Sequence, residues 1–299
     1  MLFEVEARKE AEGTTLFVID DIADSFDYKN KYAIIQYLKD MSEHDKFRLI
    51  ILTHNFDFLR TIFGRSVVTY GGCFMAEKSV ERVTLTPMAG STITNPFTKD
   101  FKKKIFTDGM RRVASIPFTR NLIEYSRGTK DADYLTLTSL IHLKEGTRTI
   151  TQAELDRIFG EVFPGLSGGP WVGGDEPVLE MIYAQAEIAL TADEGVNFAN
   201  KIVLSLAIRL RAEEFMASAL DADGFDETIT SNQTWHLFNA FNQRGLGSEP
   251  TLDSLRRVLL ITPENIHINS FMYEPILDMS DHSLRELYSD VKMLSSADD

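Results

Sequence analysis

The chain has 299 residues, of which 43% are hydrophobic and 25% are charged. This balance is typical of a globular protein and excludes a disordered, collagen-like or low-complexity chain, and the length suffices for one large domain or two ordinary ones. The single cysteine, Cys73, excludes an internal disulfide and a Cys-rich zinc site and fits a reducing compartment. No apolar run is long enough for a membrane helix, and Glu4 and Glu6 interrupt the N-terminus where a signal peptide would be apolar. We therefore expect a cytoplasmic protein with no membrane contact.

The charge of the chain is unevenly distributed. Its net charge of −14 disfavours general affinity for nucleic acids, which bind clustered lysine and arginine. The segment from Lys99 to Lys130 is the exception, because it carries nine Lys or Arg residues against three Asp or Glu residues, a net +6. This basic segment (residues 99–130) is either a solvated helix face or a surface that binds RNA or DNA.

The first 88 residues show the pattern of an α/β unit. Thr15–Ile19 and Phe47–Leu52 are short apolar, β-branched runs, which predict buried parallel strands, and Lys31–Leu38 has helical spacing between them. A helix is predicted next, over Phe56–Phe63. Ser66–Tyr70 and Val80–Leu85 are then predicted to be strands that flank a Gly71-Gly72 turn.

Loop composition from Pro87 to Lys99 marks a boundary, so we divide the chain into residues 1–90 and a mainly helical domain over 91–299. Residues 164–176, rich in glycine and proline, predict a flexible connector within that domain. The predicted helices of this domain are Phe101–Ser115, Thr119–Arg127, Tyr134–Leu143, Thr151–Phe159, Pro177–Ala192, Glu194–Leu220, Trp235–Phe241, Leu252–Leu260 and Ser283–Leu294.

Acidic residues follow the first predicted strand directly. Asp20 and Asp21 stand at its carboxyl end, the place where open α/β sheets bind ligands. One such carboxylate can hold Mg²⁺ through water while the next polarises an attacking water. Asp27 follows six residues after Asp21, and His54 ends the next strand. An acidic pair alone could simply cap a helix, but the ordered set of four is hard to obtain by chance.

With these residues in place, Leu16–Asp27 and Ile51–Phe58 resemble the Walker B, D-loop and H-loop of ABC-class ATPases, in the RecF- and SMC-like branch found in bacterial phage-defence and anticodon-nuclease ATPases. The resemblance implies that Asp20 is the magnesium-associated acid and Asp21 the catalytic carboxylate. It makes Asp27 the D-loop acid that reaches across a dimer interface and His54 the switch histidine that senses the γ-phosphate. The fold it implies is the α/β half of a P-loop ABC ATPase head followed by a mainly α-helical domain.

The chain contains no phosphate-binding loop. The string Gly-x4-Gly-Lys-Ser/Thr, whose backbone N–H groups and lysine hold the phosphates, does not occur. Leu166–Pro170 imitates the ABC signature, but it follows the H-loop instead of preceding Walker B, and Pro170 prevents the required helix. ATP and Mg²⁺ are therefore expected only in an assembly completed by a P-loop-containing portion, in cis or in trans, and by a second ATPase head.

A second set of residues suggests nuclease chemistry. Arg120 and Glu124 lie four apart inside the basic segment, with His142 downstream. In the anticodon nucleases that the chain resembles, an Arg, a Glu four residues on and a later His cleave RNA without metal, by proton exchange and phosphate neutralisation. The alternative is a surface salt bridge, and Arg209 and Glu213 repeat the same spacing on another helix.

The other histidines indicate no metal site. His236, His267 and His282 are expected to pack, to alternate along a strand or to lie beside a helix cap, and no His/Cys cluster has zinc spacing. The sequence therefore predicts the C-terminal portion of an ATP-hydrolysing ABC-class protein of phage defence or nucleic-acid surveillance, with a helical domain that could be an RNA-cleaving effector. The alternative is a non-catalytic protein-interaction module that keeps the Walker B fold as a scaffold.

Overall fold

The computed structural model describes residues 2–22, 31–53, 55–78, 82–88, 97–166, 169–192, 198–220, 231–261 and 280–296. The chain divides into two compact units, residues 1–76 with 83–94 and residues 77–82 with 95–299. Within the described ranges, no helix is both long and apolar enough to cross a membrane.

The first unit contains a parallel pair of strands, as predicted. Strand β1 (Thr15–Asp20) pairs with β2 (Phe47–Leu52) in a register that sets Thr15 beside Phe47 and Asp20 beside Leu52. The helices of this unit are α1 (Leu2–Lys9), α2 (Lys31–Ser42) and α3 (Phe56–Gly64). Apolar side chains of β1, β2 and the helices form its core, with Leu38 and Phe58 almost fully buried.

Only one face of this strand pair is covered by the described residues. Leu16, Val18, Ile50 and Leu52 are about half exposed, at 57%, 62%, 46% and 48%. The prediction of buried strands is therefore correct for one face and wrong for the other. The apolar runs carry the composition of a parallel sheet covered on both sides, whereas the described elements pack against one side.

The predicted strand over Ser66–Tyr70 is wrong. Ser66 adopts φ 58° and Val67 donates a backbone hydrogen bond to Ile62 O (2.9 Å), which ends α3 in a left-handed turn. Tyr70–Gly72 then forms a 3₁₀ turn. The strands that do form are β3 (Phe74–Lys78) and β4 (Val83–Pro87), which pair in a separate two-stranded sheet. The β-branched residues Val67 and Val68 gave a strand pattern because they pack against the core.

The second unit is helical in its described part, which confirms the helical prediction for this region. Its long helices are α6 (Ile116–Arg127), α8 (Gln152–Val162), α9 (Val178–Thr191), α10 (Phe198–Ala219), α11 (Gln233–Gln243), α12 (Glu249–Val258) and α13 (Asp281–Ser296), and its short ones are α4 (Lys102–Lys104), α5 (Gly109–Ala114) and α7 (Ala132–Thr138). The centre is α10, which packs against α5, α9, α11, α12 and α13. Sixteen of its 22 residues are buried, so its apolar residues face neighbours on all sides.

The single helix predicted over Phe101–Ser115 is interrupted. Asp108 accepts a hydrogen bond from Arg111 N (2.9 Å) and starts α5 as an N-cap, so residues 105–108 form a turn between α4 and α5. The helical spacing of the apolar residues continues through this turn, which is why periodicity alone does not reveal it.

Hydrogen bonds hold the described part of the connector predicted over residues 164–176. The N–H groups of Gln152 and Ala153, at the start of α8, donate to Glu176 O (2.9 Å) and Gly174 O (2.8 Å). Trp171 N donates to Asp156 Oδ2 (2.7 Å). This part of the segment therefore supplies carbonyl groups to the N-terminus of α8, where helical N–H groups lack partners within the helix.

Candidate functional site

The adjacent carboxylates lie where β1 ends. Asp20 is the last residue of β1 and is exposed, and Asp21 follows with φ 47°. Asp21 donates its backbone N–H to Leu52 O (3.0 Å), so it is held against the end of β2. A left-handed conformation at a residue other than glycine is uncommon and costs about 1 kcal/mol or more. The strained turn sets two carboxyl groups at the carboxyl edge of the parallel pair.

The end of β2 brings further polar groups to the same edge. Thr53 Oγ1 accepts a hydrogen bond from Asn55 N (3.1 Å), and Asn55 caps α3 by accepting from Phe58 N (2.9 Å). The predicted switch residue His54 and the predicted D-loop residue Asp27 lie outside the described residues. The structure therefore places Asp20 and Asp21 beside the end of β2, and it leaves the other two members of the predicted set untested.

A complete metal site is not formed by protein side chains alone in the described part of the chain. There, no group of three or more His, Cys, Asp and Glu residues could hold a metal ion. Asp20 and Asp21 offer oxygen ligands, which Mg²⁺ prefers, and Mg²⁺ usually takes only one or two carboxylates besides water and phosphate oxygens. The pair therefore fits a magnesium ion that arrives with a nucleotide.

Arg120 and Glu124 lie together on α6. Arg120 Nη1 is 3.4 Å from Glu124 Oε2, and it also donates to Asn121 Oδ1 (2.9 Å). Arg120 Nε donates to Thr138 Oγ1 (3.0 Å), and its guanidinium lies 4.5 Å from the centre of the Tyr134 ring. These contacts fix α6 against α7. They occupy the guanidinium with protein partners, as the salt-bridge interpretation expects.

His142 makes its hydrogen bonds with a different arginine and glutamate. Its Nδ1 is 2.9 Å from Glu213 Oε1, and its Nε2 is 3.3 Å from Arg209 Nη1. Arg209 and Glu213 lie on α10, with the same four-residue spacing as Arg120 and Glu124. The sequence alone did not identify this polar cluster, because an Arg and a Glu four residues apart occur twice in the chain and the spacing does not show which pair contacts His142. The signal that could have found it is the pair of charges within an otherwise apolar helix.

Glu213 is fully buried and accepts from several donors. Its Oε2 accepts from Leu143 N (2.7 Å) and Gln233 Nε2 (2.9 Å), and its Oε1 accepts from Thr234 Oγ1 (2.6 Å). Burial alone raises the pKa of Glu213, but His142, Arg209 and Thr234 together outweigh it and hold the pKa below its ordinary value. Glu213 is therefore a buried carboxylate anion that joins α10, α11 and the residues after α7.

The partners of His142 define its tautomer. An arginine side chain only donates hydrogen bonds, so the Nε2 that faces Arg209 accepts one, and the Nδ1 that faces Glu213 carries the proton. The side chains of Glu213, His142 and Arg209 thus stand in series, with the carboxylate at Nδ1 and the guanidinium at Nε2 of the imidazole. A carboxylate that orients an imidazole in this way is also the arrangement that prepares a histidine to accept a proton.

Acids of the second unit neutralise much of the basic segment (residues 99–130). Lys104 and Arg111 both pair with Asp100, at 2.6 Å and 3.1 Å. Arg127 pairs with Asp133 (3.0 Å), and Arg112, which is fully buried, pairs with an acid on α8. Fewer cations than the sequence suggests are therefore available to a nucleic acid, and the buried Arg112 does not belong to a solvated helix face either.

Where the structure describes them, the remaining histidines belong to no cluster of side chains that could hold a metal ion. His236 packs edge-on against Trp235 at 5.0 Å, and His282 is exposed at the start of α13, while His267 lies outside the described residues. Comparison of the chain with models of protein families, with curated proteins and with solved structures finds no match.

Proposed function

We propose that this chain is the C-terminal portion of an ATP-hydrolysing ABC-class protein of bacterial phage defence or nucleic-acid surveillance. The observation that carries the proposal is the strained Asp20-Asp21 turn at the carboxyl edge of a parallel strand pair. Ligand sites of open α/β sheets lie at this edge, and backbone strain is concentrated at functional sites. The parallel pairing of β1 and β2 supports the resemblance of these segments to Walker B and the H-loop.

In this proposal the carboxylates of Asp20 and Asp21 have different roles. Asp20 holds Mg²⁺ through water and Asp21 polarises the water that attacks ATP, with His54 and Asp27 in the roles that the resemblance implies. The P-loop comes from an upstream portion or from a separate chain, and a second ATPase head completes the site in the cytoplasm. The helical unit then acts as effector or sensor.

Substitution of Asp21 tests the ATPase proposal. In the assembly that contains the P-loop, Asp21→Asn should lower ATP turnover by about 100-fold or more while nucleotide binding is kept, because an amide cannot accept the proton of the attacking water. Asp45→Asn is the matched control, since Asp45 is an exposed carboxylate just before β2. Steady-state ATPase rates and nucleotide titrations measure both effects.

An unchanged ATPase rate in the Asp21→Asn assembly would contradict the proposal. It would favour the alternative, a protein-interaction module without nucleotide chemistry that keeps the Walker B scaffold. The exposed apolar side chains Leu16, Val18, Ile50 and Leu52 are the observation that supports this alternative.

RNA cleavage by the helical unit is a second candidate function, and the contacts of His142 favour a particular set of residues for it. The series Glu213, His142 and Arg209 contains an orienting carboxylate, an imidazole and a cation within hydrogen-bond distances. His142 is the most exposed of the three, whereas Arg209 is buried and also donates to Ile261 O, so Arg209 must release Nε2 of His142 before a substrate reaches it. In the cleavage step, the released Nε2 takes the proton of a 2′-OH as the 2′-oxygen bonds to phosphorus. The bond from phosphorus to the 5′-oxygen breaks, a water proton neutralises that oxygen, and the displaced Arg209 guanidinium offsets the phosphorane charge.

The two arginines give a matched test of the nuclease candidate. Arg209→Lys should abolish cleavage of a labelled oligoribonucleotide, because lysine keeps the charge but not the planar fork, whereas Arg120→Lys should leave it. An oligodeoxyribonucleotide of the same sequence should remain intact because it lacks the 2′-OH. If only Arg120→Lys and Glu124→Ala abolish cleavage, the set predicted from sequence is the correct one. Cleavage that survives every variant belongs to a contaminating ribonuclease.

A further inference from the structure

The uncovered face of the β1–β2 pair is apolar at its centre and charged at two opposite corners. The register sets Leu16 beside Arg48, Val18 beside Ile50, and Asp20 beside Leu52, and all six side chains lie on the same face. Arg48 and Asp20 are exposed, and Arg48 Nη1 donates to the backbone oxygens of Asp45 (3.1 Å) and Phe47 (2.7 Å), which leaves its charge without a carboxylate partner among these contacts. We call these six residues the open sheet face.

The positions of the two charges make the open sheet face complementary to itself. Arg48 stands at the amino end of one strand and Asp20 at the carboxyl end of the other, so the charges occupy diagonally opposite corners. A two-fold axis in the plane of the interface, perpendicular to that diagonal, places Arg48 of each copy over Asp20 of the other. Leu16, Val18, Ile50 and Leu52 of both copies then meet between the two ion pairs.

Strand geometry makes this arrangement compatible with sheet packing. Neighbouring strands lie about 4.8 Å apart, and the charges differ in level by four residues, about 13 Å along the strand. The diagonal is therefore tilted by about 20° from the strand direction, and strands of the two copies cross at about 40°. Face-to-face sheets pack with their strands within roughly 30° of each other, so the charge pairing requires a crossing angle about 10° larger than the usual one.

We propose that a second copy of this chain docks on the open sheet face and forms a symmetric dimer. The proposal does not depend on ATP hydrolysis and concerns the chain without Mg²⁺, because an Asp20 that pairs with Arg48 of the other copy does not hold the ion at the same time. Two strands of six residues offer only roughly 200 Å² per copy, below the roughly 800 Å² per partner of a standard interface. The dimer is therefore weak, with a dissociation constant above about 10 µM, and its population rises with concentration.

Sedimentation velocity of the whole chain from about 1 µM to about 300 µM tests the proposal. Ile50→Glu should weaken the dimer at least about tenfold, because it buries a charge at the centre of the interface. Arg48→Asp and Asp20→Arg should each weaken it, whereas the double variant should restore it, since the exchanged charges again pair across the two-fold axis. Val83→Glu is the matched control, because Val83 is an equally exposed apolar residue of the first unit, on β4.

Each result of these sedimentation experiments either supports the dimer or overturns it. A monomer at every concentration overturns the proposal, as does a dimer that Ile50→Glu leaves unchanged or that Val83→Glu disrupts. Failure of the double variant to restore the dimer overturns the two-fold arrangement. A stable complex with a different protein, with no dimer, means that another occupant covers the face. Loss of ATPase activity in Asp21→Asn is independent of all these results, so the two proposals fail separately.

Discussion

Arg112→Met should lower the free energy of unfolding of the helical unit by about 3–5 kcal/mol, because Arg112 is the fully buried cation that ties α5 to α8. Its Nη1 pairs with Asp156 Oδ1 at 2.7 Å, while Nε and Nη2 donate to Gln152 Oε1 (2.9 Å) and Gln152 O (3.0 Å). Its guanidinium also lies 4.9 Å from the centre of the Trp171 ring. Burial lowers the pKa of Arg112 and Asp156 opposes that shift, so the cation depends on its partner.

Methionine fills similar space but removes the cation beside Asp156 Oδ1 and the donor to two acceptors of Gln152, while Trp171 N still donates to Asp156 Oδ2. Thermal denaturation should show a fall in Tm of about 10 °C. Arg148→Met is the control, because the side chain of Arg148 is 70% exposed and its single ion pair with Glu214 contributes little. The double variant Arg112→Met with Asp156→Leu should recover part of the loss, since no charge then remains buried alone. Equal Tm values for Arg112→Met and Arg148→Met would contradict this account.

Glu213→Gln should cost about 2–4 kcal/mol near neutral pH, because the buried carboxylate is the common acceptor for His142, Leu143, Gln233 and Thr234. The amide of the introduced glutamine keeps one acceptor oxygen. Its NH₂ group takes the place of the second carboxylate oxygen and therefore faces groups that donate hydrogen bonds to Glu213. The polar cluster joins α10 to α11 and to the residues after α7. Its loss should therefore be measurable as a lower denaturant midpoint for the helical unit.

The cost of Glu213→Gln should depend on pH in a defined direction. The folded pKa of Glu213 is held below its ordinary value of 4.5, so the folded state binds a proton less readily than the unfolded state. The carboxylate therefore contributes fully above about pH 5, and its contribution disappears as the pH falls through the lowered pKa. Denaturant titrations should show wild type and variant converging in acid.

Glu180→Gln is the control for this pH profile, because Glu180 is an exposed carboxylate on α9. It should match wild type at every pH. A constant difference between wild type and Glu213→Gln across the acid range would contradict the assignment of Glu213 as an anion. A reversed trend, with the difference growing in acid, would mean that its folded pKa is raised.

Local patterns in the sequence were sufficient to predict most of the helices and strands. Short apolar, β-branched runs predicted β1 and β2, and helical periodicity predicted α2, α3 and most helices of the second unit. These patterns report which residues avoid water along a short segment, which is the information that periodicity contains. The Ser66–Tyr70 strand failed because the same apolar residues pack in a turn after α3.

Such patterns could not predict which residues that lie far apart in the chain form pairs. The pair Arg120 and Glu124 has the same spacing along the chain as the pair Arg209 and Glu213. Only the packing of α10 against the residues after α7 places His142 beside Glu213. Likewise, the sequence placed Arg112 among solvated cations, whereas α8 buries it beside Asp156. Burial and partner choice arise from contacts across 40 or 70 residues, which spacing within one helix does not encode.

The sequence by itself determined the position of the two acids, because Asp20 and Asp21 follow an apolar run directly and chain order alone places them at the carboxyl edge of a parallel sheet. The tertiary structure alone decided which charges are buried, which face of the β1–β2 pair stays open, and which glutamate orients His142. The physical reason is that burial and electrostatic pairing depend on distances in space, and those distances are set by the packing of elements that lie far apart in the chain.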